Sequence, residues 1–88
     1  MIDAIRKKLV RQTVLEALSM AHGFALPEVT LRNHVSALLR PYVANDEWKD
    51  TTDWLETNNH IVRVESDFDE TLVQFSITER GRTLLKTL

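Results

Sequence analysis

Apolar residues early in the chain recur at three- and four-residue steps: Ile5, Leu9, Val10, Val14, Ala17, Leu18 and Ala21. This is the period of a buried helical stripe and predicts a helix from about Asp3 to Ala21. Asp3 suits its N-cap and Gly23 its C-terminal stop. Ile2, Leu15 and Met20 fall off the centre of the stripe, so the apolar sector is wide. Either this helix packs on two sides within a small core, or a second apolar face buries against another subunit. A second helix follows Gly23-Phe24-Ala25-Leu26-Pro27. Pro27 is tolerated in its first turn, or Thr30 caps a shorter helix from Leu31. Val35, Leu38 and Leu39 form its inner face, with Val29 or Leu31 above them. Pro41 ends it, because the residue before a proline is driven out of helical backbone.

The pattern predicts a third helix from about Asp46 to Asn58, capped by Asn45 or Asp46, with acids in the first turn where the helix dipole favours them. With Leu55 at the inward centre, successive 100° steps place Trp48, Thr51 and Thr52 inside. Asp46, Lys49, Asp50, Asp53, Glu56 and Thr57 then face out, with Trp54 on the flank. The period next shortens to two. His60–Glu65 sets Ile61, Arg63 and Glu65 against Val62 and Val64. A turn at 66–70 leads to a second strand over 71–77, which makes a hairpin. Thr78 caps a last helix docked by Leu84, Leu85 and Leu88. Gly81 inside that helix costs ~1 kcal/mol against Ala. Close approach of a neighbouring segment is its usual justification.

The most specific pieces are Trp54-Leu55-Glu56 followed by Ile61-Val62-Arg63-Val64, and Ile77-Thr78-Glu79-Arg80-Gly81-Arg82. Together with the order of elements, they resemble winged helix-turn-helix domains. Small bacterial regulators of the multiple-antibiotic-resistance and arsenical-resistance types are similar, and stand-alone domains of this kind also occur among phage and prophage proteins. The resemblance implies an α+β fold over residues 1–88 as one domain: a three-helix helix-turn-helix core, a two-stranded β-hairpin wing and a C-terminal helix. It also implies a transcriptional regulator whose third helix enters the major groove of double-stranded DNA.

Composition narrows the alternatives. The 88 residues suit one domain, and 43% hydrophobic with 27% charged is ordinary for a folded protein. No cysteine is present, which excludes disulfides and thiolate metal sites. No apolar run is long enough for a membrane span, and no signal-peptide core follows Arg6-Lys7-Lys8. We expect a cytoplasmic protein. His22, His34 and His60 are not at metal-ligand spacings, no Ser/His/Asp arrangement marks a nucleophile, and two glycines make no phosphate loop. We therefore expect no metal, no cofactor and no catalysis.

Charge complicates the regulator reading. Residues 1–41 carry a net +3 and residues 42–88 a net −5. The third helix (45–58) has five acids against Lys49, a net −4, and Glu65, Asp67, Asp69 and Glu70 crowd the turn. Lys and Arg supply most nonspecific DNA affinity, so these acids oppose a duplex. The cations available are Lys49 on the third helix, Arg63 at the wing base, Arg32 on the second helix, and Lys7, Lys8 and Arg11 on the first. These are the candidate nucleic-acid contacts. The competing reading is an adaptor whose acidic third helix and wing meet a protein. Trp54 and Phe68 are then aromatic anchors, unless Trp54 covers the corner between the second and third helices and Phe68 folds back on the hairpin. Ile2, Ile5, Leu15 and Leu88 are the candidates for a homodimer built through the first and last helices. The basic first helix and acidic third helix could also complement each other between subunits.

Overall fold

The computed structural model describes residues 4–21, 24–40, 42–65 and 72–87. Four helices and three strands follow in order: α1 Ala4–Ser19, β1 Leu26–Pro27, α2 Glu28–Leu38, α3 Asn45–Thr57, β2 Ile61–Glu65, β3 Val73–Ile77 and α4 Glu79–Thr87. The strands form an antiparallel sheet in the order β1-β3-β2. Ile61 pairs with Ile77, Arg63 with Phe75 and Glu65 with Val73, while Leu26 pairs with Phe75 from the other edge. This is the α+β winged-helix arrangement expected from the sequence, with the β2–β3 hairpin as the wing. The short strand β1 was not expected. Two residues carry no readable period, and its pairing partner lies almost fifty positions away.

The core contains Val10, Val14, Leu15 and Leu18 of α1, Leu31 and Val35 of α2, Leu55, Ile61 and Phe75. α1 touches α2, α3, β3 and α4, so a wide sector of its surface is covered. This corrects two expectations. Leu15, placed off centre and offered for a second subunit, is fully buried. Ile5 and Leu9, placed in the stripe, are 81% and 43% exposed. The expected cap at Asp3 and stop at Gly23 lie outside the described residues, as do Pro41, the turn at 66–70, Ile2, Phe68 and Leu88.

α2 begins directly after Pro27, whose φ of −57° and ψ of 142° close β1 and open the helix without a side-chain cap. Thr30 lies inside the helix rather than capping it. Leu38, expected inside, is 62% exposed. The helix ends there, and Leu39 turns extended (φ −113°, ψ 146°), which brings its own side chain into the core instead.

α3 starts one residue earlier than expected, with Ala44 at the N-cap and no side-chain cap bond. Asn45 is already the first helical residue, with its amide oxygen accepting from Arg32, and the Asp46 carboxylate accepts from the Glu47 N–H at 3.0 Å. The inward set Trp48, Thr51, Thr52 and Leu55 is as the 100° step placed it. The two threonines sit in the core because each hydroxyl donates back one turn, to Glu47 O at 2.8 Å and Trp48 O at 3.1 Å. α3 ends through Asn59, which adopts φ 62°, a left-handed conformation that asparagine tolerates. Thr78 caps α4 as expected, its hydroxyl accepting from the Gly81 N–H at 3.0 Å.

Candidate nucleic-acid interface

The surface that matters for a winged helix is the outer face of α3 with the adjoining wing. Asp46, Lys49, Asp50, Asp53 and Thr57 are exposed there, as the helical period required. Lys49 is the base on this face, set among three aspartates. Arg63 extends from β2 at the wing base, but it is not an isolated cation. Its Nη2 lies 3.2 Å from Glu56 Oε1 and its Nε donates to the same oxygen at 3.4 Å. The guanidinium also lies 5.5 Å from the Phe75 ring centre. The cation at the wing base is therefore paired with a carboxylate of α3.

The remaining candidates divide in two. Lys7 and Lys8 are exposed on α1. Arg32 and Arg11 are half-buried and engaged. Arg32 holds Asn45 at the start of α3, and the Arg11 guanidinium lies over Trp54, 3.8 Å from the ring centre. Trp54 is thus half-buried beneath a side chain of α1. Its ring also meets that of His60, 5.4 Å away and tilted by 32°. Of the dimer candidates, Ile5 is exposed and Leu15 is not.

One interaction escaped the sequence reading. Arg6 forks onto Glu47, with Nε to Oε2 at 3.0 Å and Nη2 to Oε1 at 3.1 Å. Both side chains are largely out of solvent, at 16% and 12% exposure. The complementarity between basic first helix and acidic third helix is therefore used inside the chain. A signal for Glu47 existed: it precedes Thr51 and Leu55 by four-residue steps, so the period that buries them buries it too. Its charge argued against the inside, and only the partner 41 positions upstream reconciles the two.

His60 is the second missed residue. It sits between α3 and β2, 6% exposed, with Nδ1 buried and without a hydrogen-bond partner. Burial, then the nearby Arg80 cation, hold its imidazole below the usual pKa of 6.5, while a hydrogen bond to the Arg80 backbone opposes them. Its carbonyl accepts from Thr78 N–H at 3.1 Å, and α4 crosses so closely that a Cβ at Gly81 would lie 2.1 Å from that oxygen. This is the close approach that the helical glycine implied.

Among the described residues, no three His, Cys, Asp or Glu side chains gather as a metal site needs. No described helix is long and apolar enough to cross a membrane. No protein-family model and no curated protein matches the chain. A solved structure does: the PcaV transcriptional regulator from Streptomyces coelicolor, in complex with its natural ligand, superposes with a TM-score of 0.70 at 17% identity. The match covers 86% of this chain and 48% of that one, so the chain spans about half the length of that regulator. At this identity the likeness is one of fold, and the fold is the winged helix.

Proposed function

We propose that residues 1–88 act as one non-enzymatic winged-helix domain that binds double-stranded DNA in transcriptional regulation. In this reading it works in the cytoplasm as a homodimer. The observation that carries this reading is the solvent-facing side of α3, left open by the other described residues and adjoined by a wing with Arg63 at its base, in a fold shared with a solved transcriptional regulator. Lys49 and Arg63 would meet the groove and its phosphates. Lys7 and Lys8 would add electrostatic attraction, with Arg32 and Arg11 supporting the helices that present them. Ile5 on the outer side of α1 is the exposed apolar residue offered to a second copy.

A second reading has its own support. Every acid on the outer side of α3 is solvent-facing or paired with the one wing-base cation. Such a surface fits a basic protein partner better than a polyanion, and the domain would then be an adaptor without DNA binding.

Fluorescence anisotropy of a labelled random duplex, titrated from low to physiological salt, separates the two. DNA binding predicts low-salt association that falls steeply with salt, weakened when Lys7 and Lys8 are both changed to Ala. Absence of association even at low salt favours the adaptor.

A further inference from the structure

His60 is a buried base that neither reading uses. It stands where three helices and the sheet meet. Trp54 of α3 covers one face of the ring. The same indole also carries the Arg11 guanidinium of α1. From α4 the nearby charge is Arg80; the first-turn acid Glu79 is turned to Arg82, 3.9 Å away. α3 contributes no counter-charge, since Glu56 is engaged by Arg63, and β3 (Val73–Ile77) contains no titratable side chain. Among the described residues no carboxylate pairs with the imidazole. The main chain around it is tightly tied. His60 N–H donates to Leu55 O at 2.8 Å, its carbonyl accepts from Thr78 N–H, and the Thr78 hydroxyl donates to Asn59 O at 2.6 Å. The segment that turns α3 into the wing is thereby fastened to the start of α4.

We propose that His60 is a pH-operated latch at the root of the wing, closed when its ring is neutral and released when the ring takes a proton. The neutral ring is accommodated by its stacking on Trp54. The protonated ring would be a cation out of water, with Arg80 beside it and an Nδ1–H that has no acceptor. Leaving the pocket for water relieves all three. The departure pulls on the Asn59–His60 backbone and loosens the ties to Thr78. The sign follows from linkage. A histidine held below its unfolded-state value binds fewer protons when folded. Its contribution is therefore complete above about pH 6.5 and is lost as pH falls through the folded-state titration.

The test is a pair of measurements on the full chain. Thermal unfolding followed by circular dichroism between pH 8 and pH 5 should show the melting temperature of the native protein falling by roughly 5–10 °C per pH unit within the titration window. His60→Phe, which keeps an aromatic ring on Trp54, should remove that segment of the slope. Equal slopes in the two proteins would overturn the latch. Where His60→Phe does not fold, NMR titration of the native imidazole decides. His60 titrating below 6.5, and moving upward in Arg80→Gln, supports the proposal. Titration at or above 6.5, or no response to Arg80→Gln, defeats it.

Discussion

The inner side of α3 carries Glu47, Trp48, Thr51, Thr52 and Leu55, none more than 9% exposed, whereas Asp46, Lys49, Asp50 and Asp53 on its outer side stand in solvent. Both sides are rich in polar atoms, and they differ in how those atoms are satisfied. Inside, each has an assigned partner: Glu47 meets Arg6, the Trp48 indole N–H donates to Glu28 at 3.3 Å, and the threonine hydroxyls return to the helix. Outside, the side chains are open to solvent. Inner residues are therefore constrained by geometry and outer ones by whatever partner approaches. Substitutions inside should be read out as stability, and substitutions outside as binding.

The most severe break of the buried structure is at Gly81 on α4, which packs against the residue that leads from α3 into the wing. Its Cα presses on the His60 carbonyl, and a methyl group there would lie 2.1 Å from that oxygen and 2.9 Å from the Ile77 side chain. The carbonyl cannot move without breaking its bond from Thr78. Gly81→Ala should cost about 3 kcal/mol or more, the upper range for overpacking, although alanine is the better helix former. Urea unfolding measures it. A variant as stable as the parent would mean that α4 can shift away, and that the seam is softer than its contacts imply.

Next in size is the Arg6–Glu47 fork. Glu47→Ala removes the charge-assisted fork and should lose about 1.5–3 kcal/mol. Replacing both residues with Met should recover much of that, because the pair repays its own desolvation only in part. If the double variant is no better than the single, the fork itself contributes strongly. The contrast between the two sides of α3 would then rest on charge rather than on packing.

These two sites also show what a sequence can and cannot reveal. The order of elements, the inner face of α3, the Thr78 cap and the significance of Gly81 were legible because each is local: a period, a capping hydroxyl, a glycine where helix propensity argues against one. The winged-helix fold followed from that order. Glu47, Trp54 and His60 were harder because their positions depend on distant residues. A buried carboxylate is expected only once Arg6 is known to face it, and the placement of Trp54 depends on Arg11 lying above it. Leu15 was misjudged for the same reason. A stripe centre can be read from periodicity, but the width of the buried sector depends on how many neighbours α1 has. At the candidate interface, exposure of the outer face of α3 was predictable. The pairing of Arg63 with Glu56 across the helix–wing corner was not, since it depends on the angle at which β2 leaves α3.

The smallest expected effect on stability is at that pair, and there the outer side can be tested as an interface. Arg63 and Glu56 are 48% and 36% exposed, so screening leaves the bridge worth no more than a few tenths of a kcal/mol. Neither Arg63→Ala nor Glu56→Gln should shift the urea midpoint measurably. Their effects on a duplex should be opposite. Glu56→Gln removes one negative charge and frees the guanidinium beside it, so low-salt affinity should rise and its dependence on log salt should steepen by about one phosphate contact. Arg63→Ala should weaken binding and flatten that dependence by a similar amount. Opposite shifts at unchanged stability would place phosphate at the wing base. If both variants bind DNA as the parent does, Arg63 is no contact. If neither variant binds even at low salt, the acids of α3 dominate and the partner is to be sought among basic proteins.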